Sequence, residues 1–199
     1  DDHGDLRIIG NQSPRYRYGV NLSARWNGIG LSVFLQGVGA RDWYPGSDAG
    51  MFWGKYGRPF FALIPSIHNY TDDMYSAERN NWDTAYWPRM TTYQSNGTKN
   101  WTRLLEIPNT RYIQSAAYLR VKNIQLDYSF PKHICSAIRL QGLKIYVNAE
   151  NLFTFTPLHK YAPNFDPEGL SYDSDFASAA DGYTYPILKS VTVGVNITF

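Results

Sequence analysis

Cysteine and charge are both scarce in this sequence. The 199 residues contain one cysteine, Cys135, which excludes an internal disulfide framework and a CxxC zinc or redox motif. Charged residues make up 18% of the chain, below the roughly 25% of an average soluble domain. The net charge of +2 argues against a strongly basic nucleic-acid binder and against a polyacidic tail. We therefore expect no nucleic-acid partner.

Long apolar runs and a signal peptide are lacking as well. No run approaches the 18 or so residues of a transmembrane helix, and the acidic start at residues 1–5 is unlike a signal peptide. Two interpretations follow from this start: a cytoplasmic protein, or a piece cut from a longer chain. The composition argues against disorder, because 16 Tyr, 10 Phe and 6 Trp can bury a core.

Apolar and polar residues alternate over long segments of the chain. A period of two predicts β-strands with one apolar and one polar face. The alternating segments are 16–26, 143–155 and 187–199, with 31–39 and 118–130 as weaker cases. In the last of these the apolar phase switches between Val121 and Ile124, which predicts a bulge or the end of an apolar environment.

The lengths of these segments and of their connections favour a membrane. The three clear strands run to about 11–13 residues, whereas soluble strands average about 5–6 and tilted membrane strands need about 9–11. Aromatic residues cluster at the ends of the apolar faces, as interfacial girdles do. Short or medium connections alternate with long ones, an arrangement typical of outer-membrane barrels. The connections are 27–30, 40–117, 131–142 and 156–186.

The sequence therefore predicts an all-β fold, namely an antiparallel transmembrane β-barrel segment of about five long strands with long loops. Five strands cannot close a barrel, since the smallest have about eight and large transporters about 22. We expect the segment to belong to a larger barrel or to pair with other chains. A soluble or surface carbohydrate-binding β-sandwich remains the alternative.

A series of motifs follows the strands in order along the chain. They are GDLRIIGN at 4–11, PRYRYG at 14–19, LSVFLQGVG at 31–39, RDWY at 41–44, TRYIQ at 110–114, YLRVKNIQL at 118–126, VNAENLF at 147–153 and the terminal 185–199. Together they resemble the SusC/RagA family of TonB-dependent outer-membrane transporters of Bacteroidetes. The resemblance covers nearly the whole chain, residues 1–199.

The resemblance implies the C-terminal part of a roughly 22-stranded barrel in the bacterial outer membrane. It implies that Phe199 is similar to the C-terminal aromatic read by the barrel-assembly machinery. It also places the connections 27–30 and 131–142 in the periplasm, and the loops 40–117 and 156–186 outside the cell. Because the plug domain and the TonB box precede this region in the family, we expect that these residues alone do not transport.

The same resemblance implies partners and a substrate class. The partners are a SusD-like surface lipoprotein, TonB through the absent plug domain, the barrel-assembly machinery and the lipid bilayer. The substrates are glycans and oligosaccharides, or peptides. Family members often carry an acidic calcium-like loop before the IGN motif at 9–11. Here only Asp1, Asp2 and Asp5 remain, too few for the six to eight oxygens that calcium takes.

No residue pattern points to covalent chemistry. The four histidines are scattered without metalloprotease spacing, and His133 and Cys135 lie in a predicted turn with no orienting partner. We expect no enzyme activity, catalytic residue, cofactor or metal. Asp127 and Glu150 lie on polar strand faces and are predicted to pair across strands with cations such as Lys144, Arg17 or Arg25.

The long loops hold the candidate contact residues. Aromatic side chains among Asn, Asp and Arg suit stacking on sugar rings, and equally suit a protein interface or an ordered loop cap. These three roles remain open. The candidates for substrate or partner contact are Trp43, Tyr44, Trp53, Tyr56, Trp82, Trp87 and Trp101.

Overall fold

The computed structural model describes residues 7–44, 77–87, 109–163, 165–170 and 187–199. Its regular elements are β1 (Arg15–Trp26), β2 (Ile29–Ala40), β3 (Asp42–Trp43), β4 (Gln114–Ser115), β5 (Tyr118–Ser129), the helix α1 (Lys132–Ala137), β6 (Gly142–Phe155), a 3-10 helix (Pro157–Lys160) and β7 (Ser190–Thr198). The five long strands, β1, β2, β5, β6 and β7, correspond to the five segments in which the alternation predicted a strand. The short strands β3 and β4, the helix α1 within the connection 131–142 and the 3-10 helix were not predicted from the sequence.

The five long strands form one antiparallel sheet in the order β1-β2-β5-β6-β7. Residues paired across the strands form rows on one face of the sheet, and successive rows alternate between the faces. One row joins Leu31, Leu126, Val147 and Val193, and the next joins Ser32, Gln125, Asn148 and Thr192. The register therefore gives the sheet one apolar and one polar face.

The turn between β1 and β2 consists of two residues, Asn27 and Gly28. Both have positive φ angles, 47° and 87°, as a type I′ turn requires, and Asn-Gly is the preferred pair for that turn. A Cβ added to Gly28 would lie 2.8 Å from the carbonyl oxygen of Ser129. Position 28 therefore requires glycine, because the backbone has a positive φ angle and because a Cβ atom would not fit there.

A bulge lies in β5 where the alternation changes phase. Val121 pairs with Leu35 and with Phe153, and Asn123 is the next paired residue on both sides of the strand. Lys122 is skipped by both neighbouring strands. This extra residue returns Val121 to the same face as the apolar residues that follow it. The bulge predicted from the phase switch is confirmed.

The described residues divide into two compact units. The strand unit comprises 15–39, 118–155 and 187–199. The loop unit comprises the described residues of 7–14, 40–44, 77–87, 109–117, 156–163 and 165–170. Its short strands β3 and β4 pair antiparallel, Asp42 with Ser115 and Trp43 with Gln114. Its core comprises Trp43, Trp87, Ala116, Leu158, Ala162 and Leu170.

Candidate functional site

The apolar face of the sheet is exposed along most of its height. Val193, in the row at the middle of β6, is 74% exposed. The other large apolar residues that are exposed on these strands include Leu22, Leu31, Leu126, Ile145, Val147, Val191, Val195 and Ile197. Continuous exposed apolar surface of this extent marks contact with lipid or with another protein.

Aromatic residues are concentrated at the two ends of this face. Trp26 is exposed where β1 ends, and Tyr128 packs edge-on against Phe130, with ring centroids 5.0 Å apart, where β5 ends. Phe153 and Phe155 are exposed at the other end of the face, among the last three residues of β6. Girdles of this kind occur where membrane strands cross from hydrocarbon to water.

The polar face carries a buried carboxylate between two cations. Asp127 is 6% exposed, and its Oδ1 lies 3.2 Å from Arg25 Nη2 on β1 and 3.2 Å from Lys144 Nζ on β6. Gly30 pairs with Asp127, and a Cβ there would lie 2.6 Å from a carboxylate oxygen. The cross-strand pairing predicted for Asp127 is confirmed, whereas Glu150 accepts a hydrogen bond from the Ser190 hydroxyl at 3.1 Å.

Above this ion pair the polar face forms a shallow depression of about 330 Å³. Its lining is rich in amide and hydroxyl groups, and Asn148 Oδ1 is a buried acceptor without a hydrogen-bond partner among the described residues. The lining residues are Asn123, Gln125, Lys144, Tyr146, Asn148, Thr192 and Asn196. This surface suits polar, hydrogen-bonding contents rather than hydrocarbon.

In the loop unit the aromatic side chains pack mainly on one another. The rings of Tyr86 and Tyr161 are stacked with centroids 3.8 Å apart, and Trp87 meets Tyr86 edge-on at 4.7 Å. The indole nitrogen of Trp87 donates to the carbonyl of Tyr161 at 3.0 Å. The hydroxyl of Tyr86 donates to the carbonyl of Arg111 at 2.6 Å and accepts from the Gln114 amide. These contacts order the loop unit.

Burial raises the pKa of two phenols in this unit. The pKa of Tyr44 is raised to about 12 by burial and by the neighbouring Tyr112, while the amide of Asn109, which donates at 3.0 Å, opposes the shift. The pKa of Tyr86 is also raised, first by burial. Both phenols therefore remain protonated at physiological pH and act as neutral hydrogen-bonding groups.

The candidate contact residues fall into three groups. Trp43, Tyr44 and Trp87 are buried, with Trp43 at 2% and Trp87 at 1% exposure. Trp82 is 73% exposed. Trp53, Tyr56 and Trp101 lie outside the described residues. Phe199 follows β7 and is exposed, and its role in assembly stays a prediction.

Sequence reasoning did not identify Arg41, a buried residue that joins separate parts of the loop unit. Its guanidinium donates to the carbonyls of Gln12, Pro167 and Leu170. The motif RDWY contained Arg41, but nothing in the sequence signalled its burial. The spacing of aromatic residues in the loops also lacks a period, so buried Trp87 and exposed Trp82 look alike in the sequence.

The described ranges contain neither a candidate metal centre nor a helical membrane span. No group of three or more His, Cys, Asp or Glu side chains there could hold a metal ion. The acidic residues Asp1, Asp2 and Asp5 lie outside those ranges. In the described part of the chain, no helix is long and apolar enough to cross a membrane.

Comparison with curated proteins finds relatives along almost the whole chain, although no family model matches it. TonB-dependent receptor P3 of Formosa agariphila is 25% identical over 201 residues, which is 98% of this chain and 17% of the receptor. TonB-dependent receptor P26 of the same organism is 22% identical over 199 residues, 98% of this chain and 18% of the receptor. The resemblance to TonB-dependent receptors is confirmed.

Solved structures show the same fold. The RagAB peptide transporter matches 98% of this chain with a TM-score of 0.60 and 18% identity, and the match covers 18% of that chain. The RagAB peptide importer in the open-open state gives a TM-score of 0.55, with 18% identity over 97% of this chain and 18% of the importer. The fold is that of an antiparallel transmembrane β-barrel segment. The chain spans 17–18% of the length of these proteins.

Proposed function

We propose that the chain is the C-terminal wall and rim of a SusC-like outer-membrane transporter that imports oligosaccharides or peptides. In this proposal the plug domain and TonB contact belong to other parts of the full protein. The chain supplies the barrel wall, loops that contact a SusD-like lipoprotein, and Phe199 as an assembly signal. Its role involves positioning and binding, with no covalent chemistry.

The observation that carries this proposal is the pair of opposite faces on one sheet. An apolar face exposed at its middle and banded by aromatics suits lipid, while the amide-rich face suits an aqueous interior. A soluble β-sandwich would cover its apolar face with a second sheet. The exposure of Val193 and its neighbours argues against that alternative.

The arrangement of the sheet ends supports the proposed orientation. The turn at Asn27 and Gly28 and the connection containing α1 lie at the same end, because Ser129 N donates to the Gly28 carbonyl at 2.8 Å. The loop segments lead away from the opposite ends of β2, β5 and β6. Short connections in the periplasm and long loops outside the cell are the usual order in outer-membrane barrels.

The membrane placement is tested by exchanging a residue on each face for arginine in the full-length protein. Val193→Arg places a charge in lipid near mid-membrane, at a cost of about 2–4 kcal/mol, and should reduce the folded, heat-modifiable band in outer-membrane fractions. Thr192→Arg is the matched control on the polar face and should assemble far better. Equal assembly of the two variants would contradict the proposal.

The substrate and partner are tested through the loop unit. Trp82 is the exposed candidate among the described residues, so Trp82→Ala should weaken either uptake or capture of the surface lipoprotein. Radiolabelled uptake of oligosaccharides and of peptides by whole cells separates the two substrate classes. Co-purification of a lipoprotein encoded beside the transporter tests the partner. Unchanged uptake and unchanged co-purification would remove Trp82 from the proposed contact surface.

A further inference from the structure

The connection between β5 and β6 combines basic and apolar residues without any acid. Residues 131–141 contain Lys132, His133 and Arg139 and no Asp or Glu. Ile134 and Ile138 are also exposed, Ile138 to 54%. Exposed isoleucines beside cations at the end of a membrane sheet match the composition of interfacial membrane helices.

The geometry of α1 separates these residues onto different sides. Cys135 is buried and its thiol faces the Phe130 carbonyl at 3.7 Å, which fixes the inner side of the helix. Ile134 and the C-cap residue Ile138 are four residues apart and share one flank. Lys132 and Ser136 are also four apart and share the opposite flank. The helix is therefore amphipathic across its flanks.

The end of α1 holds an arginine in a conformation that favours glycine. Arg139 has φ of 61°, and its N–H donates to the Ser136 carbonyl while that of Leu140 donates to the Cys135 carbonyl. These two hydrogen bonds form a Schellman motif, in which glycine is the usual residue at the position of Arg139. The backbone conformation at this position favours glycine and therefore does not account for arginine.

Neighbouring contacts place α1 at the aromatic end of the apolar face. Phe130, which precedes the helix, donates its N–H to the Leu143 carbonyl at 2.9 Å and packs on Tyr128. Gln141, which follows it, donates to the Thr198 carbonyl at 2.8 Å. The exposed side chains of Ile134 and Ile138 therefore lie at the end of the sheet where Tyr128 and Phe130 close the apolar face.

We propose that α1 is an interfacial anchor that binds phospholipid. Ile134 and Ile138 enter the acyl boundary, and Arg139 pairs with a headgroup phosphate. The inference rests on the proposed placement of the sheet in a membrane and deepens it by assigning a lipid contact outside the strands. The position of α1 beside the aromatic end of the apolar face, its exposed isoleucines, and the absence of acids within 131–141 commit the site to phospholipid.

Site-specific photocrosslinking in native outer membranes tests the anchor. The photoreactive residue p-benzoylphenylalanine replaces Ile138, or Ser136 on the opposite flank as the matched control, or Val193 as the reference for lipid contact. We expect lipid adducts at Ile138 and Val193 and few at Ser136. A lipid adduct at Val193 without one at Ile138, or a protein adduct at Ile138, overturns the anchor. No lipid adduct at either site overturns the proposed membrane placement as well.

The headgroup contact is tested with Arg139→Gly, which removes the charge while relieving the backbone. Native mass spectrometry of the full-length protein, titrated with phosphatidylglycerol or phosphatidylethanolamine, measures lipid retention. One cation near a membrane surface corresponds to about a fivefold change in affinity, so we expect about fivefold weaker retention of phosphatidylglycerol. Lys160→Gln, an exposed cation of the loop unit, should leave retention unchanged. Wild-type retention by Arg139→Gly overturns the phosphate contact.

Discussion

Arg41 is a buried cation that hydrogen-bonds to main-chain carbonyls from distant segments of the loop unit. Its three acceptors belong to Gln12, Pro167 and Leu170. Hydrogen bonds from charged donors contribute more than neutral ones, and removing the donor leaves buried carbonyls unsatisfied. Arg41 therefore positions the segments around the aromatic core.

Arg41→Met should destabilise the loop unit by about 2–4 kcal/mol, because it keeps the aliphatic volume and removes the hydrogen bonds. Limited proteolysis of intact cells or membranes measures this through the rate of loop cleavage, which follows the open population. We expect cleavage to accelerate by roughly 30-fold or more. Trp82→Phe, at an exposed position, serves as the control and should be cleaved at the wild-type rate.

Tyr44 should make the loop unit sensitive to alkaline pH. The phenol has a pKa of about 12 when folded and 10.0 as the reference value, so the folded state retains a proton that the unfolded chain releases. The stability conferred by this group is present below pH 10 and is lost as pH rises towards 12. Tyr44→Phe should flatten that part of the pH profile of proteolysis. An unchanged profile would contradict the assignment to Tyr44.

At the scale of elements, the period of two was sufficient to predict all five long strands. Even the bulge at Lys122 left a signal, because one extra residue must shift the apolar phase. The strands β3 and β4 were not predictable, since two residues each carry no period. The helix α1 was missed because six residues are too few for a helical repeat to stand out against its flanks.

The Asn27–Gly28 turn gives an element-scale prediction. Gly28→Ala places a Cβ 2.8 Å from a backbone oxygen at a φ of 87°, and the left-handed conformation alone costs about 1–2 kcal/mol. The temperature at which the heat-modifiable band is lost should fall. Gly142→Ala is the control, because its nearest contact is 3.6 Å from Thr198 Oγ1. If this temperature fell equally in the Gly142→Ala control, the effect would come from replacing any glycine and not from the conformation of the turn.

At the scale of the whole molecule, the two faces of the sheet require different surroundings on either side. The sequence predicted this division because apolar and polar residues alternate along the long strands, clearly in β1, β6 and β7 and more weakly in β2 and β5. It did not predict the packing in the loop unit, where contacts join residues far apart in sequence and aromatic spacing is irregular. Trp87 is buried against Tyr86 and Tyr161, while Trp82, five residues earlier, is exposed.

Residues 1–199 expressed by themselves should not give a soluble monomer. The described sheet has a bare apolar face and two edge strands, β1 and β7, and unpaired edges and exposed apolar surface both promote association. Size-exclusion chromatography without detergent should show aggregates or no soluble protein. A monodisperse monomer in plain buffer would favour the carbohydrate-binding sandwich instead.

The pairing of β2 with β5 joins strands separated by about 77 residues. In polymer terms this closure is inexpensive, since each doubling of a flexible loop adds only about 0.6 kcal/mol of entropy cost. Once the connection is closed, ten paired positions hold β2 and β5 together. Insertions and deletions within the connection can therefore accumulate with little thermodynamic penalty while the register of the paired strands stays unchanged.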